Sequence, residues 1–316
     1  MAKILTITLN PAIDITIQLD TLHVGEVNRQ DAVQTHAAGK GLNVALVLKD
    51  LGHDVIVSGF LGQNNRQIFD LHFAQAQFDN QFVYIEGETR QNIKLAEQSG
   101  QMTDINGKGF WVSEQDKQKL FSQIEKILPE IDVVVIAGSL PQGFSTEELQ
   151  NLMQLIQRHN KKIAIDTSGK ALVTAIQNQP WMIKPNTDEL TESYGLAART
   201  YDEQKKLFNS LGSSIEHIVV SMGEHGVNWL HQTHPLHSQA PKVSVKSTVG
   251  AGDSLLAGMI HGLVSQLSMQ ETLKTATAIA SHVVTQIGFR IPDAETLQQL
   301  KSQTTINSLS ESDANC

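Results

Sequence analysis

Short, wholly apolar runs separated by helix-length segments dominate the second half of this chain. Val133-Val134-Val135-Ile136-Ala137 precedes a helical stretch over 147–159, and Ile163-Ala164-Ile165-Asp166, Trp181-Met182-Ile183-Lys184 and Ile218-Val219-Val220-Ser221 repeat the pattern. A strand that is apolar on both faces belongs inside a parallel sheet with helices on each side, and such sheets offer their ligand sites at the carboxyl ends of the strands. The expected class is therefore α/β with a doubly wound, mostly parallel sheet, to which Ile4-Leu5-Thr6-Ile7-Thr8-Leu9 and Val55-Ile56-Val57-Ser58-Gly59-Phe60 also belong.

Other strands read differently. Ile13-Asp14-Ile15-Thr16-Ile17-Gln18-Leu19 alternates with a period of two, the mark of a strand wet on one face, with Asp14 on the polar side. Further strands are expected over 24–35, 82–94 and 101–111, the last two joined across Ser99-Gly100 in a hairpin. Together they make a small β-sheet lid. On this reading residues 1–10, 37–81 and 112–307 form the α/β body and residues 11–36 and 82–111 the lid. The polar stretch over 308–316 is a disordered tail. A half-wet sheet needs a cover, so a homodimer is expected in which two lids pack together.

Charge and cysteine usage narrow the function. Among 316 residues, 24 Lys and Arg stand against 33 Asp and Glu, a net charge of −9 without a basic cluster. That excludes nucleic acid or an anionic membrane as the main partner. The longest apolar run, 133–137, is strand-sized, the N-terminus lacks a signal-peptide layout, and the single cysteine is Cys316. A cytoplasmic location is expected. The Gly-Lys pairs at 39, 107 and 169 lack the upstream glycine of a P-loop, and no strand leads into G-x-G-x-x-G.

Two glycine turns carry the chemistry. Ser247-Thr248-Val249-Gly250-Ala251-Gly252-Asp253 leads into the apolar helical run Leu255, Leu256, Ala257, Met259, Ile260. Free amides at such a helix start form a seat for phosphate. Asp253 taken alone would read as an N-cap. In His36-Ala37-Ala38-Gly39-Lys40-Gly41-Leu42-Asn43-Val44-Ala45, a glycine-bracketed lysine opens a second helix.

This pair of segments resembles the two signatures of the ribokinase-like (PfkB) carbohydrate kinases, over a span from about Ile4 to Pro292. Thr8-Leu9-Asn10-Pro11-Ala12, His36 to Gly41 and Lys184-Pro185-Asn186 are most similar to the bacterial 1-phosphofructokinase branch. The resemblance implies ATP-dependent phosphorylation of fructose 1-phosphate at its 6-hydroxyl, with Mg²⁺, giving fructose 1,6-bisphosphate and ADP. Asp253 would be the base, with Gly250, Ala251 and Gly252 supplying amides. Asp14, Gly39 and Asn43 would hold the sugar, and Arg90, Lys94 and Ser139 its phosphate, with Lys40 and Arg29 as further candidates. Lys184, Asn186, Ser221, Gly223, Glu224, Gly226, Thr248, Gly250 and Gly252 would meet ATP. Glu189, closing Asn186-Thr187-Asp188-Glu189, would place Mg²⁺ through water.

Each position has an ordinary reading too: Gly39 as a turn, Asn43 as a surface amide, Arg90 and Lys94 as solvated charges, and Asn186 to Glu189 as a capping box. His36 could reach the sugar or simply pack, and His231, His234 and His237 read as a loop. Furanose fructose has a near two-fold relation between its C1 and C6 arms, so tagatose-6-phosphate kinase and 6-phosphofructokinase remain alternatives. A sensor without catalytic output is a third.

Overall fold

A computed structural model describes residues 1–231, 233–286 and 288–309. The chain runs β1 (Lys3–Thr8), β2 (Ala12–Leu19), β3 (Ala32–Ala38), α1 (Lys40–Asp50), β4 (Asp54–Gly62), α2 (Gln67–Ala76), β5 (Asp79–Ile85), β6 (Arg90–Glu97) and β7 (Met102–Asn106). It continues with α3 (Glu114–Ile127), β8 (Val133–Ala137), α4 (Thr146–Arg158), β9 (Lys162–Asp166), α5 (Gly169–Gln177), β10 (Met182–Ile183), α6 (Thr187–Tyr194) and α7 (Tyr201–Ser210). The last elements are β11 (His217–Ser221), β12 (Val227–Leu230), β13 (Leu236–Gln239), α8 (Ala251–Val264), α9 (Met269–Val283), α10 (Ala294–Gln303) and β14 (Thr305–Ser308).

Ten strands form one sheet in the order β14-β13-β12-β11-β10-β9-β8-β1-β4-β5. From β11 to β5 every pairing is parallel, and β12, β13 and β14 add an antiparallel edge. The apolar runs explain this arrangement. Successive residues of β8 point to opposite faces, so Val134 and Ile136 join Leu120, Leu152 and Leu172 of α3, α4 and α5 in one core. Val133 and Val135 join Val44 and Leu48 of α1 and Leu256 and Ile260 of α8 in the other. With both faces covered, nearly all of β1 and all of β8 are buried.

A separate sheet, ordered β3-β2-β6-β7, arches from the body. Its register puts Asp14 beside His36 and Asn92, and Ile15 beside Ile93, which in turn faces Ile105. One face is therefore polar and the other carries Ile15, Ile17, Ile93, Leu95, Ile105 and Val33, of which Ile105 is 54 % and Val33 43 % exposed.

Several expectations need correction. Phe82 to Ile85, expected in the small sheet, lie in β5 and pair with β4, because Phe82, Val83 and Ile85 find cover on both sides of the large sheet. Only from Arg90 does the chain enter the small sheet. The strand expected over 24–35 starts at Ala32, since Asn28 folds its side chain back onto the His23 backbone and closes a loop with Val24 and Val27 exposed. The one expected over 101–111 ends at Asn106. His237, expected in a loop, lies in β13 with Nδ1 2.8 Å from Asn228 Oδ1. Of the tail expected over 308–316, Ser308 pairs with Leu236 and the Leu309 amide donates to Pro235, while 310–316 lie outside the described residues.

Helices α8 and α9 pack so closely that a β-carbon at Gly258 would lie 2.6 Å from the Ala276 Cα. Overfilling such a contact costs about 1–3 kcal/mol. Gly258→Val is expected to lower the urea midpoint by a corresponding amount with the m-value unchanged.

Candidate functional site

The polar residues of both glycine segments meet above the carboxyl ends of β1, β8, β9 and β10. Two helix starts point into that space. Neither α1 nor α8 has a side-chain cap; in α8 the Ala251 amide reaches the Thr248 carbonyl at 3.4 Å, and those of Gly252 and Asp253 stay open. The turn before α8 demands a glycine at position 250. Gly250 has φ 82° and a β-carbon there would strike the Phe289 ring at 2.0 Å, and one on Gly252 would stand 3.1 Å from Lys184 Nζ.

Asp253, in the first turn of α8, is 6 % exposed, and its Oδ2 accepts from Asn43 Nδ2 at 2.7 Å. Burial, reinforced by the negative charge of Asp166, pushes its carboxyl up to about 6, against the opposing pull of Asn43, Lys40 and Lys184. Asp166, 1 % exposed at the end of β9, lies between two ammonium groups, with Lys40 Nζ 3.0 Å from Oδ1 and Lys184 Nζ 3.1 Å from Oδ2. Burial alone would raise its carboxyl, but Lys184 and Lys40 hold it below the usual range. Lys40 also stands 3.6 Å from Glu189 Oε1; burial opposes its charge, and the surrounding carboxylates raise its ammonium overall.

The Asn186-to-Glu189 capping box is real. Asn186 Oδ1 accepts the Glu189 amide at 2.7 Å, and Glu189 Oε2 accepts the Asn186 amide at 2.9 Å. The other glutamate oxygen faces Lys40, so capping occupies half of the carboxylate. Among the described residues no set of three His, Cys, Asp or Glu stands close enough to hold a metal ion. Ser221 bridges to Asn186, Gly223 and Glu224 lie exposed in the turn after β11, and Gly226 is buried against Ser238. Thr248 is exposed just before the α8 turn.

From the lid, Asp14 is fixed on both oxygens, by Lys94 Nζ at 2.5 Å and Asn92 Nδ2 at 3.1 Å. Lys94, expected at the phosphate, is thus committed to Asp14. Arg90 is anchored by hydrogen bonds from its guanidinium to the carbonyls of Pro11, Gly107 and Asn10. Below it lies a cavity of about 190 Å³ lined by Asn10, Gly39, Lys40, Arg90, Ser139 and Thr167, among others. Arg29 and His36 are exposed, His36 directly across from Asp14. Sequence reading missed Asp166, Asn92 and Asn10 as site residues. The signal for Asp166 was its place at the end of a buried strand, where the chain's other polar motifs also begin.

The family model described as pfkB family carbohydrate kinase matches residues 7–297. A 1-phosphofructokinase of Vibrio cholerae is 41 % identical over 308 residues, covering 97 % of each chain. A tagatose-6-phosphate kinase of Staphylococcus epidermidis is 35 % identical over 279 residues, covering 87 % of this chain and 90 % of that protein. The crystal structure of a possible 1-phosphofructokinase of Thermotoga maritima superposes with a TM-score of 0.86 at 25 % identity, covering 98 % of this chain and 100 % of that one.

Because the Asp253 carboxyl is raised from 3.8 to about 6, its charge opposes folding above pH 6 and ceases to do so below about pH 4. Asp253→Asn is expected to stabilise the protein at pH 8 by on the order of 2 kcal/mol and to lose that advantage as pH falls through 6, read from urea midpoints at both ends.

Proposed function

The chain belongs to the pfkB family of carbohydrate kinases, and from that premise we propose that it transfers the terminal phosphoryl group of ATP to the 6-hydroxyl of fructose 1-phosphate. The products are fructose 1,6-bisphosphate and ADP. The observation that carries this reading is the setting of Asp253, a buried carboxylate with a raised pKa at the open amino end of α8. A carboxyl near 6 is ionised at neutral pH yet more basic than an ordinary one, which suits it to take the proton of an attacking hydroxyl. The amides of Gly252 and Asp253 and the ammonium groups of Lys40 and Lys184 surround the place where phosphoryl charge would develop.

Asp14, held by Lys94 and Asn92, keeps lone pairs for sugar hydroxyls, and Asn43 orients the base. Arg90 has five N–H groups, of which three are tied to carbonyls, and the remainder fit a sugar phosphate beside Ser139. Magnesium bound with the nucleotide would neutralise phosphate oxygens. Glu189, with one oxygen left outside its cap, fits a hold through water, in keeping with an ion that keeps several waters. The ATP contacts proposed for Asn186, Ser221, Gly223, Glu224, Gly226 and Thr248 follow from the family resemblance and their placement along one rim.

No helix among the described residues is long and apolar enough to cross a membrane, and we place the protein in the cytoplasm. The apolar outer face of the small sheet supports a homodimer in which two lids cover each other.

Three experiments test these readings. Asp253→Asn is expected to retain fructose 1-phosphate binding by calorimetry while turnover falls about 10³-fold or more. An ADP-release assay should give fructose 1-phosphate the highest kcat/KM among it, fructose 6-phosphate and tagatose 6-phosphate; a best rate with a 6-phosphate would sink the substrate assignment. For the dimer, Ile93→Asp is expected to shift sedimentation from dimer to monomer at micromolar concentration, and a wild type sedimenting as a monomer would refute the lid contact.

A further inference from the structure

We propose that Ser168 holds the phosphate of the sugar, as a third donor beside Arg90 and Ser139. The inference rests on the reading above that Arg90 and Ser139 meet that phosphate. Ser168 follows the end of β9, and strand register explains where that puts it. Ala137 of β8 pairs with Asp166 of β9. Past that pair the two turns stay stitched together, the Gly138 amide donating to the Asp166 carbonyl at 2.9 Å and Thr167 Oγ1 to the Gly138 carbonyl at 2.9 Å. Ser139 and Ser168 each come one residue beyond that stitch, on adjacent strand ends. Both line the cavity of about 190 Å³ below Arg90.

The Ser168 hydroxyl has no duty within the fold. The residue occupies the N-cap position of α5 with the extended backbone that capping requires, φ −133° and ψ 169°, yet its side chain makes no cap bond. Serines at the same position of α3, α4 and α9 do make it, accepting from the amides of Asp116, Glu148 and Glu271. The neighbouring Thr167 hydroxyl is buried and committed to Gly138, whereas Ser168 is exposed at the cavity. A serine that declines its local bond while facing a cavity with two cations in its wall is free to donate to an anion.

Ser139 is poised in the same sense. Its Oγ accepts from Asn10 Nδ2 at 3.1 Å, which occupies a lone pair and leaves the hydroxyl proton to give. A phosphate monoester carries three oxygens beyond its ester link, all of them acceptors. Arg90 reaches the cavity from the lid and the two serines from the body, so each of the three oxygens has a donor. Lys40, in the same wall, is paired with Asp166 and adds positive charge nearby.

The terminal phosphate of ATP has the same acceptor chemistry, so the test follows both substrates. Ser168→Ala is expected to raise the KM for fructose 1-phosphate about 10-fold or more, the usual effect of losing a hydrogen bond to a charged group. The KM for ATP and kcat should stay near their wild-type values. The urea midpoint should also hold, because no cap bond is lost. Ser168→Thr, which keeps the hydroxyl, should restore the KM. A serine serving only as the α5 cap would give the opposite split, a lower urea midpoint with the KM for fructose 1-phosphate unchanged, and that result overturns the proposal. A rise confined to the KM for ATP overturns it as well. Ser139→Ala, measured alongside, separates the two levels of the argument. A KM that rises there but not in Ser168→Ala removes Ser168 alone, whereas a KM indifferent to both changes removes the sugar phosphate from this cavity and overturns the underlying reading.

Discussion

One buried carboxylate between two ammonium groups holds the site together. Asp166 ends a strand whose neighbours are apolar, and an isolated charge there would be untenable. Lys40 reaches it from the start of α1 and Lys184 from the strand end beside it. Because those lysines are drawn to Asp166, positive charge gathers where two open helix starts converge. The same negative charge, acting with burial, lifts Asp253. Basicity at one carboxylate and ionisation at its neighbour arise from a single arrangement of four charges, in which Lys40 stands nearer to Asp166 than to Glu189 and Lys184 pairs with Asp166. Such opposed environments for adjacent acids are how one pocket keeps separate chemical roles.

The large sheet was legible because burial on both faces leaves an unbroken apolar run, and β8, β9 and β11 fall where those runs fall. The α8 turn was legible because Gly250 holds a left-handed φ with the Phe289 ring against it, a place that excludes a side chain. Phe82 to Ile85 misled because they were read as one strand with the polar stretch that follows to Lys94, although Phe82-Val83-Tyr84-Ile85 is itself an unbroken apolar run that pairs with β4 in the large sheet. Asp166 and Asn10 were silent for a different reason. Their partners lie 126 and 129 positions away, at Lys40 and Ser139, and nothing local in the chain announces a contact of that span.

The lid shows how the same residues serve stability and recognition. Alternation along β2 sets Asp14 and Ile15 on opposite faces of the small sheet. Lys94 and Asn92, on the paired strand, then fix the carboxylate without consuming all its lone pairs. A bare carboxylate on a mobile strand would have to be ordered by whatever it met; here Lys94 and Asn92 have already ordered it.

The hydrogen bond from Asn43 to Asp253 joins positions 210 apart. During synthesis at about 5–20 residues per second, roughly 10 to 40 s separate the emergence of one from that of the other. Until Asp253 has emerged, the first glycine segment stands without the carboxylate to which the Asn43 amide donates, so the two halves of this pocket can close only late in synthesis.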